Sequence, residues 1–367
     1  MKNDFLHRPR PNVSDPLLTR PKWSAGECRD PDKLWLDKNE NSDPELKLVT
    51  QKMLSIIPES SISSYPDMGQ AYNKLSAILD VSPDQIIFGA GSDGVIRSVF
   101  EAFISPGDRV VHTEPTFAMY FVYSRMFGAN SRTAIYKQSD KGPELSVESI
   151  ISLIQDHRPK LICLPNPDSP TGTAFLPEEM ELIVGEAAAK GSLILVDEAY
   201  YPFYSKSVLP LIKKYSNLIV TRSTGKAWGL AGIRLGYGVT SVDIASVLHK
   251  VRPMYEIGAL SANLFNLMMD QEQEMLASVE RLEKGKLFFL EYMESLGFRI
   301  LNGHGNFMHV AFDNYTDAVH RALKELVYYR KDFNDPCLRG FSRFSSATCK
   351  QLRPIVQCIK NVVKNSS

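Results

Sequence analysis

Cysteine is scarce in this chain: Cys28, Cys163, Cys337, Cys349 and Cys358 are odd in number and widely spaced. No Cys-x-x-Cys pair or Cys/His cluster offers a metal site, and no disulfide framework is suggested. Reduced thiols in a cytoplasm are the expectation. Net charge is missing as well. Forty-two basic side chains balance forty-two acidic ones, with no long block of one sign. A surface for nucleic acid or an anionic membrane is therefore not expected. No apolar run approaches the ~20 residues of a spanning helix. The polar, basic stretch Met1–Arg10 has no apolar core behind it, so it does not read as a secretory signal. Internal repeats and low-complexity tracts are lacking too. What remains is a soluble globular chain of 367 residues, long enough for one large and one smaller unit.

Residues 1 to about 34 are rich in Pro, Arg and Asp and lack periodicity, which predicts an extended arm. From about 85 to 240, short apolar runs alternate with helical patterns. The runs are Gln85–Phe88, Arg109–His112, Leu161–Leu164, Leu193–Val196 and Leu218–Val220. Between them Val95, Ile96, Val99, Phe100 and Phe103 recur at helical spacing, as do Met180, Leu182, Ile183, Glu186 and Ala187 behind Pro177. Such alternation predicts an α/β fold, a mostly parallel sheet covered by helices on both faces. Ligands bind such sheets outside the carboxyl ends of the strands. After about 260 the pattern changes: a helix from Ala262 through Leu296 broken near Asp270–Glu274, a strand Phe307–Phe312, a helix Thr316–Tyr328 and a last helix near Leu352–Val363. This predicts a smaller α+β unit. The expected division is 1–60 as arm and part of the small unit, 61–258 as the large unit, and 259–367 as the small one.

Four motifs fall at predicted strand ends. Gly89-Ala90-Gly91-Ser92-Asp93-Gly94 follows a strand and opens a helix, with Glu114 about twenty residues on. That is the spacing of a dinucleotide fingerprint, and equally of a phosphate cradle built from backbone N–H groups and a helix dipole. Asn166-Pro167-Asp168-Ser169-Pro170-Thr171-Gly172 puts a carboxamide at a Pro-rich turn, which could also simply reverse the chain. Asp197 ends the apolar strand Leu193–Val196, where a carboxylate needs a charged or hydrogen-bonding partner unless it caps a helix. Lys226 lies in Ser223-Thr224-Gly225-Lys226-Ala227-Trp228-Gly229, with Arg234 eight positions later and a second short strand beyond. A lysine in such apolar, Gly-rich ground suits a depressed pKa and Schiff-base chemistry; the alternative is a surface turn lysine beside a structural arginine.

These motifs, with Trp35–Asn41, Tyr65-Pro66-Asp67, Pro106-Gly107-Asp108 and Pro115–Tyr120, resemble in order the fold-type I pyridoxal-phosphate-dependent aminotransferases, and most closely the histidinol-phosphate aminotransferase family. The resemblance covers most of the chain. It implies pyridoxal 5′-phosphate as cofactor, held by Lys226, which would then move the proton between substrate Cα and cofactor. It implies that Asp197 pairs with the pyridine nitrogen, that Asn166 and Tyr200 bond the ring's phenolic oxygen, and that Phe117 stacks on the ring. Ser92, Asp93, Ser223 and Arg234 would take the phosphate. Tyr65 would reach into a neighbouring subunit's site, implying a homodimer. Arg343, Arg330 and Asn41 are the implied substrate contacts, with Arg339 the rival to Arg343.

The chain departs from the family pattern in four places. Gly225 stands where serine usually precedes the lysine, and Gly94 where an acid usually follows Ser-Asp. Ser42-Asp43-Pro44 replaces the usual Pro-Tyr-Gly, and the arginine region Cys337–Thr348 is altered. The implied reaction moves an amino group from an amino acid, glutamate by expectation, to a phosphorylated or polar ketone or aldehyde. A decarboxylase of phosphorylated amino acids on the same fold is the alternative. A nicotinamide-dependent dehydrogenase is more remote. A cofactor-binding regulator would need an N-terminal helical DNA-binding module, for which the Pro-rich arm is too short.

Overall fold

A computed structural model of the protein describes residues 9–19 and 28–366. Its centre is a seven-stranded sheet. From edge to edge the strands are Ile86–Gly89, Gly236–Val239, Leu218–Ser223, Leu193–Asp197, Leu161–Pro165, Arg109–Glu114 and Asn130–Ile135. Only Gly236–Val239 runs against the rest, being antiparallel to both neighbours. Six carboxyl ends therefore open on one side of the sheet. The central runs are apolar throughout because both faces are covered, and successive side chains point to opposite faces. Ile162, Leu164, Ile194 and Val196 join one core, with Ile183 and Val184 of the helix Pro177–Ala189. Leu161, Cys163, Leu195 and Ile219 join the other, with Val95, Ile96, Val99 and Phe100 of the helix Gly91–Phe103. Leu182, expected on a buried stripe, is exposed instead.

The second unit has a three-stranded antiparallel sheet of Arg299–Leu301, Phe307–Ala311 and Phe341–Ser345. The helices Glu272–Ser295, Thr316–Leu323 and Cys349–Ser366 pack with it, and Leu36 joins the same core. Two sequence expectations are corrected here. The helix predicted through Tyr328 stops at Leu323, and Val327–Tyr329 forms a strand parallel to Leu34–Leu36. Its partner lies nearly three hundred residues away, so no local pattern could show it. The helix Ala259–Met269 packs its Ala262, Leu264, Phe265 and Met268 into the large unit's core. We therefore place the boundary between the units beyond Met269, rather than at residue 259.

The predicted arm includes a 3-10 turn, Pro11–Ser14, and Asp15 pairs with Arg125 at 2.6 Å. The rest of the arm up to residue 8, and residues 20–27, lie outside the described residues. Among the described residues no helix is long and apolar enough to cross a membrane, and no His/Cys/Asp/Glu group could hold a metal ion.

Candidate active site

The carboxyl ends of the strands bring the predicted motifs to one cavity. Asp197 lies at its floor and is only 4% exposed. Its neighbour across the ladder, Thr221, donates a hydroxyl to Oδ1 at 3.0 Å, and the Tyr120 hydroxyl donates to Oδ2 at 3.2 Å. Burial pushes the carboxyl up to about 6 even though these hydroxyls favour its ionised form. No lysine or arginine among the described residues forms an ion pair with it. A buried carboxylate so placed can take a cation, and a pyridinium nitrogen fits that need.

Beside Asp197 a cavity of about 250 Å³ is lined by Gly91, Ser92, Asp93, Ser223, Gly225 and Arg234. The first turn of the helix Gly91–Phe103 opens there, supplying free N–H groups and the positive end of a helix dipole. The cup closes because Gly236 is paired between Gly89 and Ser223, and a Cβ on it would come within 2.2 Å of the Ser92 nitrogen. Arg234 itself is in the left-handed region, φ 52°, and its Nη2 would lie 2.9 Å from a Cβ on Gly91. The guanidinium thus sits over the helix start. The Tyr123 hydroxyl donates to Asp93 at 3.0 Å, and the Gly225 amide donates to Ser223 Oγ at 3.1 Å. A phosphate-sized anion fits this donor set.

One departure from the family pattern has its cause here. The Glu256 carboxylate accepts the Ala90 amide at 3.0 Å and occupies the space in front of Gly94, where a Cβ would approach Oε1 to 2.8 Å. The chain brings its acid in from another loop. Another departure, Asp43-Pro44, makes a helix start: Asp43 accepts the Glu45 amide at 3.2 Å, proline takes the first helical position, and Arg281 clasps Asp43 at 2.6 Å.

Lys226 lines this cavity and also a wider one of about 560 Å³, shared with Lys38, Asn39, Phe117, Ser169, Tyr200, Arg330 and Arg343. It is half-buried, and its Nζ donates to the Lys38 carbonyl at 2.9 Å. Burial, and then the nearby Arg343 charge, bring its amine down to about 8. The amine sits 5.8 Å from the centre of the Tyr200 ring, and the Tyr200 hydroxyl accepts a hydrogen bond from Asn39 Nδ2 at 2.9 Å.

Arg343 is 6% exposed. It donates to Ser169 Oγ at 3.2 Å and to the Asp37 carbonyl at 3.0 Å. Arg330 is its backbone partner, the two exchanging hydrogen bonds of 3.0 and 2.8 Å. The Arg330 guanidinium lies 4.4 Å from the Phe333 ring centre and faces the wider cavity. Arg339 is exposed and lines neither cavity.

Two predicted contacts are placed elsewhere by the fold. The Asn166 side chain is used up on the Phe175 backbone, donating at 3.2 Å and accepting at 2.8 Å. Ser169, three residues on, faces the cavities in its stead. Asn41 donates to the Ala227 carbonyl and to Ser278 Oγ, each at 3.0 Å, and accepts the Asp43 amide at 2.9 Å, so its polar atoms are engaged within the fold. Tyr65 is 76% exposed, stacked on Tyr255 at 4.2 Å, and outside both cavities of its own chain.

Three contributors lie inside quoted motifs but were not singled out there: the Lys38 carbonyl, Asn39 and Ser169. A fourth, Asp168, is fully buried and accepts the hydroxyls of Thr113 at 2.6 Å and Thr116 at 2.8 Å. It ties the loop that carries Ser169 to the loop that carries Phe117.

The class I and II aminotransferase family matches residues 31–358. A histidinol-phosphate aminotransferase from Thermoanaerobacter sp. (strain X514) is 31% identical over 333 residues, 89% of this chain and 92% of that protein. One from Caldanaerobacter subterraneus subsp. tengcongensis is 28% identical, covering 91% of this chain and 94% of its own. The solved histidinol-phosphate aminotransferase of Clostridium acetobutylicum has the same fold, with TM-score 0.78 at 23% identity over 90% of this chain and 99% of that one. That of Sinorhizobium meliloti, solved with pyridoxal-5′-phosphate, superposes with TM-score 0.77 at 19% identity, covering 91% and 92%. The dehydrogenase reading of the glycine motif falls with these matches. With its lysine turn, its phosphate cup and its buried aspartate in register, the chain belongs to the class I and II aminotransferases, on their histidinol-phosphate aminotransferase-like side, and is an enzyme dependent on pyridoxal 5′-phosphate.

Proposed function

We propose that this aminotransferase takes its nitrogen from glutamate and delivers it to a small phosphorylated ketone or aldehyde, the relatives' names pointing to histidinol phosphate as the product-side amine. The observation that carries this is the pairing of Arg343 and Arg330 as backbone partners that face one cavity with Lys226. Two guanidinium forks side by side suit a substrate with two anionic groups, since each fork gives two parallel hydrogen bonds to a carboxylate or phosphate. Arg343, the buried one, is assigned the donor's α-carboxylate, and Arg330, at the mouth, the distal carboxylate or phosphate.

Bound pyridoxal 5′-phosphate supplies the electron sink that makes loss of a substrate Cα proton feasible. Lys226 would hold the cofactor, and its amine would be the base that accepts the proton from the substrate's Cα. An amine brought to about 8 suits that exchange near neutral pH. Asp197 would pair with the pyridine nitrogen and keep it protonated. Phe117 would cover one face of the ring and exclude water. Ser92, Asp93, Ser223 and Arg234 would hold the phosphate, and Tyr200 would donate to the phenolic oxygen. The exposed Tyr65–Tyr255 stack supports a homodimer in which Tyr65 completes a partner's site, and a cytoplasmic setting fits the composition.

The test is a two-step titration. Glutamate added to the loaded enzyme should convert the cofactor spectrum to its amino form, and phosphorylated ketones are then screened for return of the original band. Return with an unphosphorylated monoanionic acceptor, and with no phosphorylated one, would overturn the substrate assignment.

A further inference from the structure

Asn39 adopts the left-handed conformation, φ 56°, although it is not glycine and is only 2% exposed. That conformation is unfavourable for an ordinary residue, less so for Asn, and survives where the surroundings over-determine it. Here they do. The Asn39 amide donates to Ser345 Oγ at 2.8 Å, and that hydroxyl donates to Asn39 Oδ1 at 3.3 Å. Asn306 Nδ2 donates to the Asn39 carbonyl at 3.0 Å. Three bonds from the small unit therefore aim the remaining group, Nδ2, at the Tyr200 hydroxyl of the large unit.

The neighbouring residues serve the same site. The carbonyls of Asp37 and Lys38 accept from Arg343 and Lys226, and Arg29 clasps the Asp37 and Glu40 carboxylates on either side. Burial pushes the Tyr200 phenol up, and the Arg343 charge and the Asn39 hydrogen bond work against that rise.

We propose that Asn39 is a positioning residue that fixes the Tyr200 hydroxyl and directs its proton into the cofactor cavity. A phenol oxygen that accepts from Asn39 keeps its own O–H to donate elsewhere. Donation into the oxygen also strengthens that O–H as a donor. The left-handed backbone is what turns Nδ2 toward Tyr200. The proposal rests on the reading that Tyr200 donates to the cofactor's phenolic oxygen.

The experiment compares Asn39→Gly, which keeps the backbone conformation, in the wild-type and Tyr200→Phe backgrounds. Cofactor dissociation constants are measured by equilibrium dialysis, with the melting temperature of each unloaded protein. Tyr200→Phe should itself weaken binding; if it does not, the role given to Tyr200 fails, and the Asn39 proposal with it. Asn39→Gly should weaken binding by about 2- to 12-fold, the worth of one neutral hydrogen bond, and add nothing in the Tyr200→Phe background. It should also raise the pH midpoint of the bound cofactor's absorption change, as Tyr200→Phe should. An equal loss in both backgrounds would show that Asn39 acts on the fold and not through Tyr200. Should Asn39→Gly fail to fold, Asn39→Asp carries the test: it tolerates the same conformation but accepts the Tyr200 proton, so its loss should exceed that of a single bond and again vanish beside Tyr200→Phe.

Discussion

On the large-sheet side of the cavity, each working side chain sits at or just past the end of its own strand. Asp197 ends Leu193–Asp197, Ser223 ends Leu218–Ser223, and Ser92 opens the helix that follows Ile86–Gly89. On the small-unit side the working groups come from segments three hundred residues apart: Asp37 to Asn39 after a three-residue strand, Arg330 beyond another, and Arg343 within a third. Two of those groups, on Asp37 and Lys38, are backbone carbonyls. The chemistry also divides. The first side offers a desolvated carboxylate, hydroxyls and helix N–H groups that fit the cofactor, and the second offers cations that fit a substrate. Rigid strand ends would suit a cofactor of fixed shape. Arg330 and Arg343 on the second side are cross-strand neighbours, whose spacing a few residues can change.

Changes on the cofactor side should be the most damaging. Lys226→Ala should abolish nearly all turnover and leave no adduct after borohydride reduction; a reducible adduct at wild-type stoichiometry would mean another lysine does the work. Asp197→Asn should lower the catalytic rate by about 10²–10³-fold, the scale for removing one preorganised electrostatic partner. Unchanged turnover in single-turnover assays would make Asp197 structural only.

On the substrate side the effects should separate. Arg343→Ala should slow the glutamate half-reaction by about 10²-fold or more, since truncating one member of a buried charge pair costs ~2–5 kcal/mol. Arg330→Ala should spare that half-reaction and raise KM for a phosphorylated acceptor. Arg339→Ala, on an exposed side chain, should change neither; a block by Arg339→Ala alone would reverse the assignment.

The buried carboxylates give a pH test of the contrast. Burial raises Asp168 to about 7 and Asp197 to about 6, above the usual carboxylate value. The native state therefore holds more protons than the unfolded one between about pH 4 and 7, and stability falls as pH rises across that window. The melting temperature of unloaded Asp168→Asn should fall less than that of the wild type from pH 4.5 to 7. Parallel curves would show that Asp168 is ionised throughout.

The smallest effect is expected at Gly225. Its φ is outside the left-handed region, but a Cβ would stand 3.2 Å from Ala231 Cα and 3.3 Å from Ser223 Oγ. Gly225→Ser should tighten cofactor binding by about tenfold, near the lower end of a hydrogen bond to a charged group. If dialysis finds no change in a normally folded variant, the tight fit cancels the added hydroxyl.

The large sheet was legible because period-2 apolar runs and 3.6-period stripes are local signals, and buried parallel strands must be apolar on both faces. The motifs at the strand ends were legible for the same reason: Asp197, Lys226 and the glycines are unusual in their immediate surroundings. Asn166 and Asn41 misled because residue type alone does not say which way a side chain turns. Asn166 had the Phe175 backbone to satisfy, and Asn41 the carbonyl of Ala227, while Ser169 and Asn39 took the cavity. The strand Val327–Tyr329 depends on a partner far away in the chain, whose loop-closure cost leaves no trace in the local pattern, and Arg330 meets Arg343 across an irregular loop with no periodicity to read. Thus the sequence by itself determined the fold class and the family, and singled out Lys226 and Asp197 as candidates. Only the tertiary structure decided which arginine, which asparagine and which carbonyl meet there, because those contacts are made by long-range packing between two units and not by the spacing of residues along the chain.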